Sequence, residues 1–171
     1  MKPHPTAMSD VVEIRPFAAA DAAVVWDILR PIFRAGDTYA VDPDISEPDA
    51  LAYWTANHCF VAEAGGEVLG TYYLKTNQPG GGAHVCNCGF ATSPSARGRG
   101  IARAMLTHSL DRAVALGYRA MQFNFVLASN TRAVDTWQRA GFDVVGRLPK
   151  AFLHPEQGYV DALVMFRDLT G

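Results

Sequence analysis

The spacing of apolar residues along the chain changes period several times, and each change marks an element. Residues 11–16 alternate enough to predict a first strand. Val24, Val25, Ile28, Leu29 and Ile32 then recur at helical spacing behind Asp21, a residue type suited to an N-cap. Pro31 is expected to shorten or bend that helix, and Gly36 to stop it. Residues 37–45 read as a polar loop carrying one aromatic, Tyr39. Ser46 starts a second, short helix, with Pro48 in its first turn and Leu51 and Trp54 on its apolar side. Residues 59–64 and 68–75 are strands joined by the two-residue turn Gly65-Gly66. After a glycine-rich connection at 77–82, the apolar run 85–92 is a fourth strand.

A helical pattern from Ile101 to about Leu116 follows and ends at Gly117. Residues 119–127 form a fifth strand, and Asn130 opens a helix that stops at Gly141. Residues 142–147 and 160–166 are the last two strands, joined by a loop containing Pro and Gly. A helical crossover between strands four and five makes that pair parallel in an otherwise antiparallel sheet. The expectation is one α+β domain over residues 1–171, with about seven strands, flanking helices and a flexible lead at 1–10.

Composition narrows the function classes. With 49% apolar and 19% charged residues the chain can bury a core. A net charge of -2 offers no basic field for nucleic acid. No apolar run approaches the roughly 20 residues of a membrane span. The polar start has no signal-peptide core, so a cytoplasmic protein is expected, without nucleic-acid or membrane partners. Cys86 and Cys88 share one face of a strand, but neither they nor Cys59 have further ligands at metal-site spacing, so no metal is expected. All three cysteines read as buried and reduced.

The chemistry concentrates at Arg97-Gly98-Arg99-Gly100-Ile101-Ala102, between the fourth strand and the helix after it. Backbone N–H groups at a helix start lack intrahelical partners, and the helix dipole favours anions there. Gly98 and Gly100 let a ligand approach the backbone, while Arg97, Arg99 and Arg103 add cationic forks suited to phosphate. No Walker loop is present. A dinucleotide fingerprint starting at Gly98 would end on Arg103, too large for close helix–strand packing. What fits is Arg97-x-x-Gly100-x-Ala102.

That motif resembles the acetyl-CoA loop of the GCN5-related N-acetyltransferase (GNAT) superfamily. A second motif, Asn130-x-x-Ala133-x-x-x-Trp137-x-x-x-Gly141-Phe142, strengthens the resemblance, which covers residues 11–169. It implies a GNAT fold whose strands four and five splay apart to take the pantetheine arm of acetyl-CoA. The backbone of Phe90 and Thr92 would hold the acetyl group and pantetheine. The amides of Arg97, Gly98, Arg99, Gly100, Ile101 and Ala102 would hold the pyrophosphate, and Asn130 would lie near the pantetheine. A homodimer is a family-level expectation. Trp137 stands where relatives usually carry a tyrosine, a proposed general acid. Indole donates but does not titrate, so that role does not transfer.

Asn87 and Asn124 stand out inside the apolar runs of strands four and five. Each could simply satisfy a backbone group freed by the splay, but two on one gap favour a ligand role. With Trp137, Pro149-Lys150-Ala151 and residues 159–162 they resemble a narrower group, the fungal-type N-acetyltransferases of proline analogues such as azetidine-2-carboxylate. There the equivalent asparagines contact the acceptor. Tyr39 is expected to line the acceptor pocket, or else to serve packing. The implied reaction is direct attack of a neutral amine on the thioester. Asn87, Asn124 and Trp137 are the candidate catalytic side chains, and Glu63, His84 and Asp161 the candidate bases. An acetylated Cys86 or Cys88 is disfavoured for want of a partner histidine. Three readings stand: a small-molecule amine acetyltransferase for an imino or amino acid, a peptide or protein amine acetyltransferase, and a non-catalytic acyl-CoA-binding module.

Overall fold

The structure, a computed structural model, describes residues 11–96 and 98–171, so the expected lead at 1–10 and Arg97 lie outside the described residues. Strands β1 (Glu13–Pro16), β2 (His58–Ala64), β3 (Glu67–Thr76), β4 (Val85–Thr92), β5 (Ala120–Leu127), β6 (Asp143–His154) and β7 (Gly158–Asp168) form one mixed sheet. Their order across it is β1-β2-β3-β4-β5-β7-β6. Helices α1 (Ala22–Ala35) and α2 (Glu47–Thr55) bury their apolar sides on one face with Val61, Tyr73 and Ala91. Helices α3 (Ile101–Ala115) and α4 (Thr131–Arg139) cover the other face, over Leu69, Tyr72, Met121 and Phe123. The result is a three-layer α+β arrangement with the parallel pair β4–β5 at its centre. Among the described residues no helix is long and apolar enough to cross a membrane.

Three local expectations change. Helix α1 runs through Pro31 without ending, because Pro31 and Asp27, whose carbonyl loses its donor, both face solvent. Asp21 stands at the N-cap of α1 but does not cap it. Its carboxylate accepts the Ala18 N–H at 2.8 Å and the Arg15 guanidinium at 2.8 and 2.9 Å, which holds it below the usual carboxylate range. The predicted loop between the last two strands is mostly strand, since β6 reaches His154 and β7 begins at Gly158. Pro149 sits in a bulge between the pairs Leu148↔Ala162 and Phe152↔Val160, on the edge strand, where a missing donor is tolerated. Lys150, at φ 51°, turns its N–H onto Asp161 at 2.9 Å.

Two features set up the centre of the sheet. Strands β4 and β5 are paired only at Val85↔Ala120 and Cys86↔Met121. In the next position the Asn87 side chain replaces the ladder, its Nδ2 donating to the Gln122 carbonyl at 2.9 Å. Beyond that bond the strands diverge, and β5 bulges against β7 between Phe123 and Val126. On the α3 face, Gly70 of β3 receives Ile101 and Met105 so closely that a Cβ there would lie 2.7 Å from Ile101 Cγ2 and 2.9 Å from Met105 Cε. The first turn of α3 therefore beds directly on the strand opposite Thr92.

Gly70→Ala should destabilise the fold by about 1–3 kcal/mol, the usual cost of overpacking a filled core. Urea denaturation reads this as a lower midpoint, and an unchanged midpoint would show that α3 shifts without cost.

Candidate active site

A cleft of about 380 Å³ opens where β4 and β5 part. Strands β3, β4 and β5, helices α2 and α4 and the α1–α2 loop supply its lining. Of the residues expected at a site, Tyr39, Asn87, Phe90, Asn124, Asn130 and Trp137 all line it. Thr92 closes β4 beyond it, paired with Gly70.

The glycine loop continues from there. Gly98 and Gly100 have φ of 70° and 73°, the left-handed region that a side chain disfavours. The Ala104 N–H makes the first bond of α3, to the Gly100 carbonyl at 3.0 Å. The amides of Ile101, Ala102 and Arg103 precede it and have no intrahelical partner. An anion fits this turn on geometry and dipole together.

Inside the cleft the two expected roles of Tyr39 and Phe90 meet. The Phe90 N–H donates to the Tyr39 hydroxyl at 3.0 Å, and that hydroxyl donates to the Phe90 carbonyl. One side chain thus satisfies both backbone groups of Phe90. Burial pushes the Tyr39 phenol well above its ordinary range, so it acts as a hydroxyl and not as a phenolate. The ring packs edge-on against Phe33 and Trp54, each at 5.8 Å, which fixes the loop over the cleft.

The asparagines behave differently from one another. Asn87 is buried and its carboxamide holds the Gln122 carbonyl. Among the described residues its Oδ1 has no partner and, since none of them leaves a buried side-chain polar atom unpaired, it is open to the cleft. Asn124 was expected inside an apolar run but is exposed in the β5 bulge. It donates to Asn77 Oδ1 at 2.6 Å and accepts from Gln122 Nε2 at 2.9 Å. Asn130 is the N-cap of α4, its Oδ1 accepting the Ala133 N–H at 3.2 Å. Trp137 is a wall: its ring lies 4.7 Å from Phe123 and 5.4 Å from Phe90, centroid to centroid.

The expected bases are elsewhere. Glu63 meets Arg15 at 3.3 Å, and Asp161 meets Arg147 at 2.6 Å and the Lys150 amide. Neither they nor His84 line the cleft. Burial pushes the Cys88 thiol well up beside Cys86, and the Cys59 thiol to about 11. Thiols held protonated are poor nucleophiles, which argues against an acetyl-cysteine. Among the described residues no cluster of His, Cys, Asp or Glu could hold a metal.

One cleft residue escapes the sequence reading. Lys75 lines it, its Nζ 5.3 Å from the ring centroid of Tyr73 and 5.6 Å from that of Tyr53. The period of two along β3 places Tyr73 and Lys75 on one face. Gly89, opposite Tyr73, was the further sign, since a Cβ there would come within 2.4 Å of the ring.

The description "Acetyltransferase (GNAT) family" belongs to the family model that matches residues 23–142. A GCN5-related N-acetyltransferase from Kribbella flavida superposes with a TM-score of 0.88 at 40% identity, covering 92% of this chain and 97% of that one. N-acetyltransferase aca1 of Schizosaccharomyces pombe is 39% identical over 98 residues, 57% of this chain. The match takes in 47% of the yeast protein, so the chain spans about half the length of that relative. A GNAT superfamily phosphinothricin acetyltransferase from Sinorhizobium meliloti, in complex with AcCoA, shares the fold at a TM-score of 0.79 and 24% identity, over 92% of this chain and 88% of that one.

Tyr39→Phe removes the shared partner of the Phe90 N–H and carbonyl. It should destabilise the fold by about 1–3 kcal/mol, the cost of leaving such groups unpaired. Equal urea midpoints for the two proteins would show that the hydroxyl holds nothing.

Proposed function

This chain belongs to the acetyltransferase (GNAT) family, and on that premise we propose that it transfers the acetyl group of acetyl-CoA directly to the nitrogen of a small-molecule amine. The observation that carries the reading is the two-pair length of the β4–β5 ladder, which opens a cleft beside β4, the strand that runs on into the glycine loop and α3. The first amides of α3, with Gly98 and Gly100 beside them, suit a pyrophosphate, and the gap suits the arm that carries the thioester.

In this reaction the amine nitrogen bonds to the thioester carbonyl carbon, the C–S bond breaks, and the electron pair leaves on sulfur. The amine proton passes to water, because no Asp or Glu among the described residues lines the cleft. A thiol of pKa about 8.5 departs without an obligatory acid, so Trp137 need supply none. The chain contributes position: Phe123, Trp137 and Phe90 wall the gap, and the aligned reactants gain from proximity. The Phe90 N–H and the Tyr39 O–H are spent within the Tyr39–Phe90 pair, so the two brace the wall of the gap and donate nothing into it.

With no Asp or Glu among the described residues of its lining, the cleft favours a small acceptor over a lysine-rich peptide, whose cations would find no counter-charge on those residues. The pattern of Asn87, Asn124 and Trp137, which resembles that of the proline-analogue acetyltransferases, supports a cyclic imino acid or an amino acid as that acceptor. Asn87 and Asn124 are its expected polar contacts.

Free-thiol release from acetyl-CoA, measured across a panel of amines that includes proline and azetidine-2-carboxylate, tests the assignment. Small cyclic acceptors should release thiol. Acetyl-CoA binding without release from any amine would reject both enzymatic readings and leave a binding module. Within that assay, Asn124→Ala should raise the acceptor KM about 5- to 30-fold, the worth of one hydrogen bond of about 1–2 kcal/mol. The KM for acetyl-CoA should hardly move, and an unaltered acceptor KM would remove Asn124 from the site.

A further inference from the structure

Lys75 is the single charged side chain among the described residues that line the cleft. Among those residues no carboxylate pairs with it and it makes no hydrogen bond. It is held instead by two aromatic faces, Tyr53 and Tyr73, within the range of cation–π attraction. Such contacts fix where an ammonium sits but leave its three N–H donors unused. A partly enclosed cation with free donors is a site for an anion.

Its place along the sheet says which anion. Lys75 is in register with Asn87, whereas Gly70, on the same strand, is in register with Thr92 next to the glycine loop. At about 3.3 Å per residue, Asn87 and Thr92 are some 16 Å apart along β4. A phosphate held by the α3 amides is therefore out of reach of Lys75. The anion that Lys75 meets belongs to the other reactant. Directly opposed residues of antiparallel strands project on the same face with Cβ atoms about 5 Å apart. The Lys75 and Asn87 side chains thus start side by side on one face and both line the cleft, one a donor for a carboxylate and the other an acceptor for an N–H.

Resting on the acetyltransferase reading, we propose that Lys75 and Asn87 read the acceptor at two points, carboxylate on Lys75 and amine on Asn87, and so select α-amino and α-imino acids over amines whose carboxylate is absent or displaced. The two groups are neighbours, so the amine and the carboxylate of the acceptor are neighbours too. Tyr53 and Tyr73 complete the reader by orienting the lysine, and Gly89 leaves Tyr73 the room to do so.

The test uses the full chain, acetyl-CoA and three acceptors: azetidine-2-carboxylate, azetidine-3-carboxylate and azetidine. In the wild type, kcat/KM should fall at least about tenfold when the carboxylate moves to C3 and further when it is removed, the range for a lost charge-assisted hydrogen bond. Lys75→Met should collapse that preference to within about threefold while the KM for acetyl-CoA is retained, and Lys75→Arg, which keeps the cation, should restore most of it. Equal use of azetidine and the 2-carboxylate by the wild type, or an undiminished preference in Lys75→Met, overturns the proposal while leaving acetyl transfer intact. If no acceptor is turned over although acetyl-CoA raises the melting temperature, the enzymatic reading falls. Thermal protection by the 2-carboxylate then decides for Lys75 if Lys75→Met abolishes it, and against Lys75 if protection is absent or survives the change.

Discussion

Where β4 and β5 part, the Asn87 side chain donates to the Gln122 carbonyl at 2.9 Å, and the rest of the molecule is arranged around that bond. Below it two residue pairs keep the strands together. Above it the facing edges of both strands lose their ladder. Buried backbone groups without partners cost about 1–3 kcal/mol each, so a sheet opened at its centre needs substitutes. Asn87 supplies one at the fork, and Tyr39, brought in from the α1–α2 loop, supplies two at Phe90. On β5 the bulge against β7 takes up the change in direction.

The two faces of the sheet hold this opening from opposite sides. The α1–α2 layer sends Trp54 and Phe33 against Tyr39, and Trp54 Nε1 donates to Thr71 at 3.0 Å. That fixes the loop which crosses the cleft. The other layer brings α3 onto Gly70 and stacks Phe142 on Phe123 at 4.4 Å, with Trp137 beside both. The opening is thus a packed, preformed space, and the amides of α3 stand at a fixed distance from it.

The order of elements was legible because each one carries its own periodicity and its own stop. Val85–Thr92, the Gly65-Gly66 turn and the Asn130 cap fall where the pattern places them. The α4 cap and the glycine loop are local chemistry, written in adjacent residues. The β6–β7 hairpin was misread because Pro149 normally signals a break, and only its edge position makes it a bulge. Asn124 stands on β5 beside the gap as expected, but its exposure was not legible: an apolar flank does not reveal that a bulge turns the residue outward. Lys75 was missed because its meaning depends on two tyrosines from separate elements and on what does not stand near it. Absence of a counter-charge is a property of the assembled cleft and has no sequence signature.

The fork in the sheet also divides the molecule into parts that can change at different speeds. On the proposed reading, contact with the donor would fall to main-chain amides and to glycines in left-handed turns, which most substitutions elsewhere leave alone. Contact with the acceptor, on the same reading, would fall to a handful of side chains on β3, β4 and β5 that line the cleft. Replacing those few would redirect such an enzyme to a new amine without asking the fold to be rebuilt, whereas Asn87 is a strand tie as well as the proposed ligand contact, and is the position at which drift in specificity would first cost stability.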